Sequence, residues 1–534
     1  MTARAAVIGA GASGLVTAKL LIESGVETTV YEAGSHVGGL WVYDNDNGQA
    51  IAYRNLHINT HKRRTQFRHF PFPAGTIDFA RHDTLAKYFE DYANYFDIVP
   101  RIRFNDRVLE VRPSGAQWTV TGAASGTETF DSVVVASGHY GQPRWPELPG
   151  HFAGDIVHSA AYRTQEGYAG KRVLLIGIGQ SACDIAVDVS WVADRTVISA
   201  RTGALVGPRW VLAGVPRDLL LTRLDGVHAP RYVLERLSRA ALFLHSGSIE
   251  KYGFRRPPGR TQPSDNQFLA SLVRYGRIAL EPGIKAVDGR EVEFENGHRE
   301  EFDRIIAATG YLVSLPFLKG VVEITPDCSD VLGLYKRVAS IDNPGLYFVG
   351  LVGVHLGGPP LQLYERQAEL VADLVEGKAH LPSKPEMVAD VERRRRFVLQ
   401  RYVNRPRHAL LEPLLRYQVE IERERKRLGA AGRRWLDRAS IPGPASRYGS
   451  LCWQCGRPLT RESARVHHGT DWGSLRWWPR AFTRPVLLCP ECYAANRRFE
   501  WLLFGLGALG VLLVAGVVAM LVKLVAALIA GLGG

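Results

Sequence analysis

Cysteine is scarce, with six residues in a chain of 534, and four of the six fall between positions 452 and 492. A disulfide-stapled scaffold is therefore excluded for the body of the protein. The amino end lacks a basic n-region and a cleavage site. Met1 to Arg4 run straight into a strand-like stretch, Ala5 to Gly9, so no secretory signal is expected there. Acid is in deficit, with 53 Asp and Glu against 66 Lys and Arg. The resulting charge of +13 favours anionic partners such as phosphate cofactors, nucleic acid or acidic lipid, without choosing among them. What is present is globular in character: 46% hydrophobic and 22% charged residues exclude a disordered or collagenous chain. The length exceeds one ordinary hydrophobic core, so two or three domains are expected. Glycine is abundant at 54 residues, which points to many tight turns or close backbone approaches.

Charge is missing altogether from Trp501 to Val522. At about 1.5 Å per residue such a run covers the roughly 30 Å hydrocarbon core of a bilayer. Arg497 and Arg498 precede it and only Lys523 follows, which places the body of the chain on the cytoplasmic side of a single-pass C-terminal anchor. Residues 392–438 are dense in arginine: Arg393 to Arg396, Arg401, Arg405, Arg407, Arg423, Arg425 and Arg427, interspersed with Glu420, Glu422 and Glu424. The mixture predicts solvated helices, with an acidic-lipid surface and RNA as alternatives. Aromatic and basic residues are not interleaved as base-stacking needs, and no nucleic-acid partner is expected.

Residues 5–14 read as a buried strand entering Gly9-x-Gly11-x-x-Gly14, then an Ala- and Leu-rich helix. Gly9 permits the tight turn, Gly11 lets the backbone approach a pyrophosphate, and Gly14 lets helix and strand pack closely, with the helix N-terminus facing the phosphates. Alone the pattern is weak. Here a second strand, Glu27 to Tyr31, follows and ends in Glu32, an acid at the spacing that serves ribose hydroxyls. The pattern then recurs. Lys171 to Ile176 leads into Gly177-Ile178-Gly179-Gln180-Ser181-Ala182, and the next strand, Thr196 to Ser199, ends in Ala200-Arg201-Thr202 with no acid. Arg201 can pair with a 2′-phosphate where an acid would repel it, so this second site reads as NADP and the first as FAD. Two such sites point to a flavoprotein that takes hydride from NADPH.

Between them, Phe152, Gly154, His158 and Tyr162 stand at the spacing F-x-G-x-x-x-H-x-x-x-(F/Y). Further segments are Gly38-Gly39-Leu40-Trp41, Tyr53 to Lys62, Phe70 to Pro73, Ala136 to His139 and Ala308 to Tyr311. In these features the chain resembles the flavin-containing monooxygenases over roughly residues 1–420. The related Baeyer–Villiger enzymes typically carry Trp where Tyr162 stands. The chain departs from the family at His69, where an acid is usual, and at His61, where proline is usual.

The resemblance implies a mechanism in which NADPH reduces FAD, O₂ adds to the flavin C4a to give a hydroperoxide, and one oxygen passes to an amine nitrogen or a sulfur of a small molecule. It also implies that Gly9, Ala10, Gly11, Ala12, Ser13, Gly14, Glu32, Gly39, Leu40, Trp41, Asn59 and Thr60 contact FAD. Gly177, Gly179, Gln180, Ser181 and Arg201 are expected to contact NADP. Asn59 is the catalytic candidate, holding the hydroperoxide by hydrogen bonding. His158 and Tyr162 are expected to hold the linker between domains. Alternatives are a Baeyer–Villiger ketone oxygenase and a membrane-docked flavoprotein scaffold or redox sensor.

Cys452-x-x-Cys455 and Cys489-x-x-Cys492 flank an insert that contains His467 and His468. Two such knuckles complete a tetrahedral, closed and therefore structural Zn²⁺ site, with a redox dithiol as the alternative. The fold expectation is α/β, with two Rossmann-like dinucleotide-binding domains. The FAD domain takes residues 1–165 and returns over 319–445 with the basic helices; the NADP domain takes 166–318. A zinc-ribbon-like segment at 449–496 and a transmembrane helix at 501–522 complete the chain.

Overall fold

The computed structural model describes residues 2–211, 214–218, 250–255, 263–355, 361–402 and 408–429, with short pieces at 450–451, 458–459, 465–468, 485–488, 490–491 and 493–494. The chain divides into two units, Met1–Phe67 with Gly75–Arg433, and Arg68–Ala74 with Arg434–Gly534.

The first unit is built on two main sheets, one mixed with a parallel centre and one wholly parallel. Strand β1 (Arg4–Ile8) turns into helix α1 (Ala12–Glu23), and the chain returns along β2 (Glu27–Tyr31). Ala5 to Ile8 are uniformly apolar and buried, as a strand covered on both faces must be. β1 pairs in parallel with β2 on one side and with β3 (Ser132–Val135) on the other. The full order is Leu334–Tyr335, Ala339–Ser340, Leu346–Phe348, β3, β1, β2, Ile102–Arg103. Chain direction across the sheet therefore switches between β1 and β3, the place where open α/β sheets leave a ligand crevice at their carboxyl ends.

The second sheet repeats the plan. Strand β4 (Arg172–Ile176), helix α2 (Gln180–Ser190), strand β5 (Arg195–Ser199) and strand β6 (Arg304–Ala307) correspond in turn to β1, α1, β2 and β3. All five strands are parallel, in the order Asp155–His158, β6, β4, β5, Ile278–Glu281. The edge strand Asp155–His158 thus precedes position 166 in the chain yet belongs to this sheet. Val173, Leu175, Ile185, Val189, Ile198 and Ile306 form its buried core.

Helices α3 (Leu361–Val375), α4 (Lys384–Arg401) and α5 (Leu414–Arg427) close the first sheet, α3 lying against α1. A capping box between Ser383 and Glu386 starts α4. The expectation of solvated helices holds for Arg393, Arg395, Arg396, Arg423 and Arg427, which are exposed, and fails for Arg394 and Arg425. Arg394 bonds Glu412 and Glu420, both at 2.7 Å, and Arg425 bonds Glu369 at 2.7 Å and Asp373 at 2.6 Å. The Arg425, Glu369 and Asp373 side chains are each less than 5% exposed. Lys336 joins Asp390 at 2.7 Å and Arg337 joins Glu412 at 2.9 Å. Lys336 and Arg337 form the turn between the edge strand Leu334–Tyr335 and its neighbour Ala339–Ser340, and both take positive φ, +52° and +56°. That conformation is costly for residues with a Cβ, and the buried ion pairs hold both residues in it. Alternating charge along a helix reads the same whether the face meets water or another charged helix. At Arg425 it meets α3, through Glu369 and Asp373.

Among the described residues no helix is long and apolar enough to cross a membrane, and no His, Cys, Asp and Glu cluster could hold a metal ion. The run 501–522 and Cys452, Cys455, Cys489 and Cys492 lie outside the described residues. In the second unit, Ser450–Leu451 pairs antiparallel with Pro458–Leu459, and Arg465–His468 with Pro485–Leu488.

Candidate functional site

Both Gly-rich turns adopt one backbone solution. Gly9 has φ +105° and Gly177 φ +113°, values that only glycine takes readily. A Cβ at Gly9 would stand 2.8 Å from the Ala136 carbonyl oxygen, and one at Gly177 2.6 Å from that of Ala308. The helices that follow begin at Gly11 (φ −77°, ψ −174°) and Gly179 (φ −77°, ψ −177°), each without a side-chain cap. Gly14 is required by packing, since its Cβ would meet the Gly9 carbonyl oxygen at 1.8 Å, whereas Ala182 fills the same place with its methyl wholly buried. Gly11 differs. Its Cβ would make only an ordinary 3.7 Å contact with Gly39, so protein packing does not demand glycine there. A ligand backbone coming close to the helix N-terminus does demand it, and on this ground the first turn fits a pyrophosphate.

Glu32 is 4% exposed at the end of β2 and accepts the Ala10 amide at 2.7 Å and the Gly34 amide at 3.0 Å. Burial raises its carboxyl above the ordinary carboxylate range, and the amide hydrogen bonds pull the other way. Gly38 donates its amide to the Ala10 carbonyl at 3.0 Å, which sets the short helical turn Gly39–Trp41 against the first Gly-rich loop. Leu40 and Trp41 on that turn are half-buried. Ala12 begins α1, and Ser13 donates its hydroxyl to the Ala136 carbonyl at 3.3 Å. A Cβ at Gly350 would lie 2.8 Å from the Ser13 Oγ, so the returning chain passes directly over this helix start. Gly350 has φ +95° and carries no motif of its own in the sequence.

At the second site Ser181 sits in the first turn of α2, and Arg201 is exposed just beyond β5. No carboxylate among the described residues pairs with Arg201, which fits a cation that receives a phosphate. The Gln180 side chain is committed elsewhere: it donates to Asp184 Oδ2 at 2.9 Å and brackets the Asp265 backbone at 3.0 and 2.9 Å. Only its main-chain amide is left for a cofactor.

Asn59 is exposed, and its Oδ1 lies 3.5 Å from Arg209 Nη2. Thr60 is buried and hydrogen-bonded to Thr65 at 2.8 Å. His61 accepts the Arg63 amide on Nδ1 at 3.1 Å, contacts Asp78 through Nε2 at 3.1 Å, and gives its own amide to Asp218 at 2.8 Å. Where proline is usual, a hydrogen-bonded imidazole fixes the turn.

Sequence reasoning missed how this segment is tied to α2. Tyr53 donates its hydroxyl to Asp184 Oδ2 at 3.0 Å, and Asn55 donates to Asp188 Oδ1 at 2.7 Å. Tyr162 gives a 2.5 Å hydrogen bond to Asp188 Oδ2, and His158 accepts the Ala160 amide at 3.1 Å. Both fingerprint residues thus hold turns and junctions. Asp184 and Asp188, one helical turn apart, are the shared acceptors, and no motif marks them.

Two congruent dinucleotide cradles, joined through Asp184 and Asp188, define an oxidoreductase that brings two nucleotide cofactors together. The family described as FMO-like, flavin-binding monooxygenase-like, matches residues 2–425. The chain is 31% identical over 434 residues to flavin-containing monooxygenase 5 of Mus musculus, covering 76% of this chain and 80% of that protein. It is 34% identical over 421 residues to dimethylaniline monooxygenase [N-oxide-forming] 2 of Rattus norvegicus, covering 74% and 77%. The solved S-allyl-L-cysteine S-oxygenase of Allium sativum superposes with a TM-score of 0.60 at 26% identity, covering 79% of this chain and 88% of that one. Cyclohexanone monooxygenase also reaches a TM-score of 0.60, at 17% identity, a likeness of fold alone. The protein belongs to the flavin-binding monooxygenase-like family and is an NADPH-dependent flavin monooxygenase that uses FAD and NADP(H).

Proposed function

We propose that the enzyme transfers one oxygen atom of O₂ to a soft nucleophile, an amine nitrogen or a sulfur, of a small molecule. The observation that carries this reading is the Asn59-bearing segment, anchored through Tyr53 and Asn55 on the helix that opens the second cradle. The N-oxide-forming and S-oxygenase activities in the names of two relatives support the substrate class. Bound FAD, reduced by NADPH, supplies the oxygen-activating chemistry. The protein's part is to bind, orient and exclude water. Gly9, Gly11, Gly14 and the start of α1 receive the FAD pyrophosphate; Glu32 fixes the loop and faces the ribose; Gly39, Leu40, Trp41 and Thr60 complete the FAD site. Gly177, Gly179, the Gln180 amide and Ser181 receive NADP, with Arg201 on its 2′-phosphate. Asn59 would offer a neutral carboxamide donor to the bound flavin, and no protein nucleophile is needed. The reading is tested by following NADPH oxidation with tertiary amines and thioethers: turnover coupled to an oxygenated product supports it, and oxidation indifferent to both substrate classes contradicts it.

The same reading assigns residues 501–522 to a membrane span with the enzyme body on the cytoplasmic side, on the strength of its uncharged length and the flanking Arg497 and Arg498. It assigns Cys452, Cys455, Cys489 and Cys492 to a structural Zn²⁺. The first pair falls in sequence between the paired strands 450–451 and 458–459, and the second directly follows strand 485–488. Paired strands next to Cys-x-x-Cys knuckles suit a ribbon.

A further inference from the structure

Arg209 has no place in any sequence motif and is 150 residues from Asn59, yet its Nη2 lies 3.5 Å from Asn59 Oδ1. The guanidinium is confined. Its side chain is 13% exposed, its Cζ stands 5.7 Å over the Phe79 ring, and Trp210 packs edge-on to Phe79 at 4.8 Å. Its carboxylate neighbour is Asp184, at 3.8 Å, already shared by Tyr53, Gln180 and Asn266. Its Nε is buried with no hydrogen-bond partner among the described residues. Arg209 is therefore a nearly buried cation held in place mainly by packing, with donor capacity turned toward Asn59.

A primary carboxamide can be rotated by a half turn at little cost, which exchanges its acceptor for its donor. A guanidinium has five donors and no acceptor, so the atom of Asn59 that faces it must be the oxygen. We propose that Arg209 is a positioning residue that locks the Asn59 carboxamide with Oδ1 inward and Nδ2 presented on the opposite side as a hydrogen-bond donor. Without the lock the amide samples both orientations, and in one of them it turns an acceptor lone pair toward an electron-rich oxygen. With it, the donor is pre-organised, and no reorientation is required when negative charge develops. Asp184 makes the arrangement reciprocal, since one carboxylate steadies both Arg209 and the Tyr53 hydroxyl that anchors the Asn59 segment. The inference rests on the functional reading above and names the residue that makes Asn59 a donor.

The test is a double-mutant cycle in the FAD-loaded full chain, with Arg209→Met, Asn59→Ala and the pair. Two quantities are read: the fraction of oxidised NADPH that ends as hydrogen peroxide, and the change in flavin absorbance on titration with NADP⁺ without substrate. Arg209→Met is expected to raise the rate of peroxide release about tenfold, corresponding to about 1.4 kcal/mol for one misaligned hydrogen bond. The pair is expected to be no worse than Asn59→Ala alone, because a positioning residue has nothing left to position. Arg209→Lys, which keeps a donor, is expected to recover most of the coupling and to keep the NADP⁺-induced change. If Arg209→Met does not retain FAD, Arg209→Gln goes through the same cycle with the same expectation. An effect of undiminished size in the Asn59→Ala background, in either cycle, overturns the inference alone. A chain that binds no FAD overturns the functional reading and this inference with it.

Discussion

The hydroxyl of Tyr53 donates to Asp184 Oδ2 at 3.0 Å, bridging the segment that leads to Asn59 and the helix that opens the second dinucleotide cradle. Tyr53 is 4% exposed, and burial beside Asp184 drives its phenol well above its ordinary pKa, so it stays a donor at every working pH. Tyr53→Phe keeps the packing and removes only the donor. The loss should be about 1 kcal/mol and should slow anaerobic reduction of the flavin by NADPH about fivefold, with FAD retained. Stopped-flow absorbance of the flavin measures it; unchanged reduction would mean that the bridge is only structural.

Arg201 is exposed and pairs with no carboxylate among the described residues, so its replacement should not disturb the fold. Arg201→Ala should raise the KM for NADPH about ten- to hundredfold and leave that for NADH nearly unaffected, as loss of a charge-assisted bond to the 2′-phosphate requires. Equal effects on both nucleotides would remove Arg201 from that role. Steady-state kinetics with the two nucleotides side by side decide it.

Burial lowers the imidazole pKa of His139 to about 4, and burial also lowers His61, His82 and His158. A histidine whose folded pKa is depressed stabilises the fold above its unfolded value, near 6.5, and that stability is lost as pH falls toward the folded value. Unfolding should therefore become easier between pH 6.5 and about 4, with a slope of about 1.4 kcal/mol per pH unit for each such histidine at most. His139→Asn should flatten the lower part of that slope. Denaturant titrations at several pH values provide the check.

The ion pairs of the return helices, some buried and some exposed, make unequal demands. Arg425→Ala takes from Asp373 its buried cation and leaves Glu369 to Arg366, and should cost about 3–5 kcal/mol. Lys384→Ala removes a pair in which both side chains are 65% exposed and should cost less than about 1 kcal/mol. Chemical denaturation separates the two, and equal costs would return these helices to the solvated picture.

Metal analysis of the full chain should find zinc, and Cys455→Ser should abolish its retention. Zinc content unchanged by that substitution would remove the cysteine quartet from the metal site.

The two cradles were legible in the sequence because glycine is the residue that backbone geometry demands, as the positive φ of Gly9 and Gly177 shows. Glu32 was legible by its place at the end of a strand. Arg209 and Asp184 were not, since ordinary charged residues gain meaning only from what folding brings beside them. The arginine-rich helices misled for a related reason: Arg394 and Arg425 have the periodicity of a wet surface and are buried against Glu412 and Glu369. Gly350, which crosses Ser13, is one glycine among 54 until the chain returns.

The central claim is tested most directly with isotopic oxygen. The FAD-loaded protein is given NADPH, ¹⁸O₂ and a tertiary amine or a thioether, and the product is weighed by mass spectrometry. The account predicts an N-oxide or sulfoxide carrying a single ¹⁸O, formed with consumption of one NADPH for each molecule. NADPH consumed with hydrogen peroxide as the sole oxygen product, or an oxygenated product whose oxygen comes from water, would contradict it.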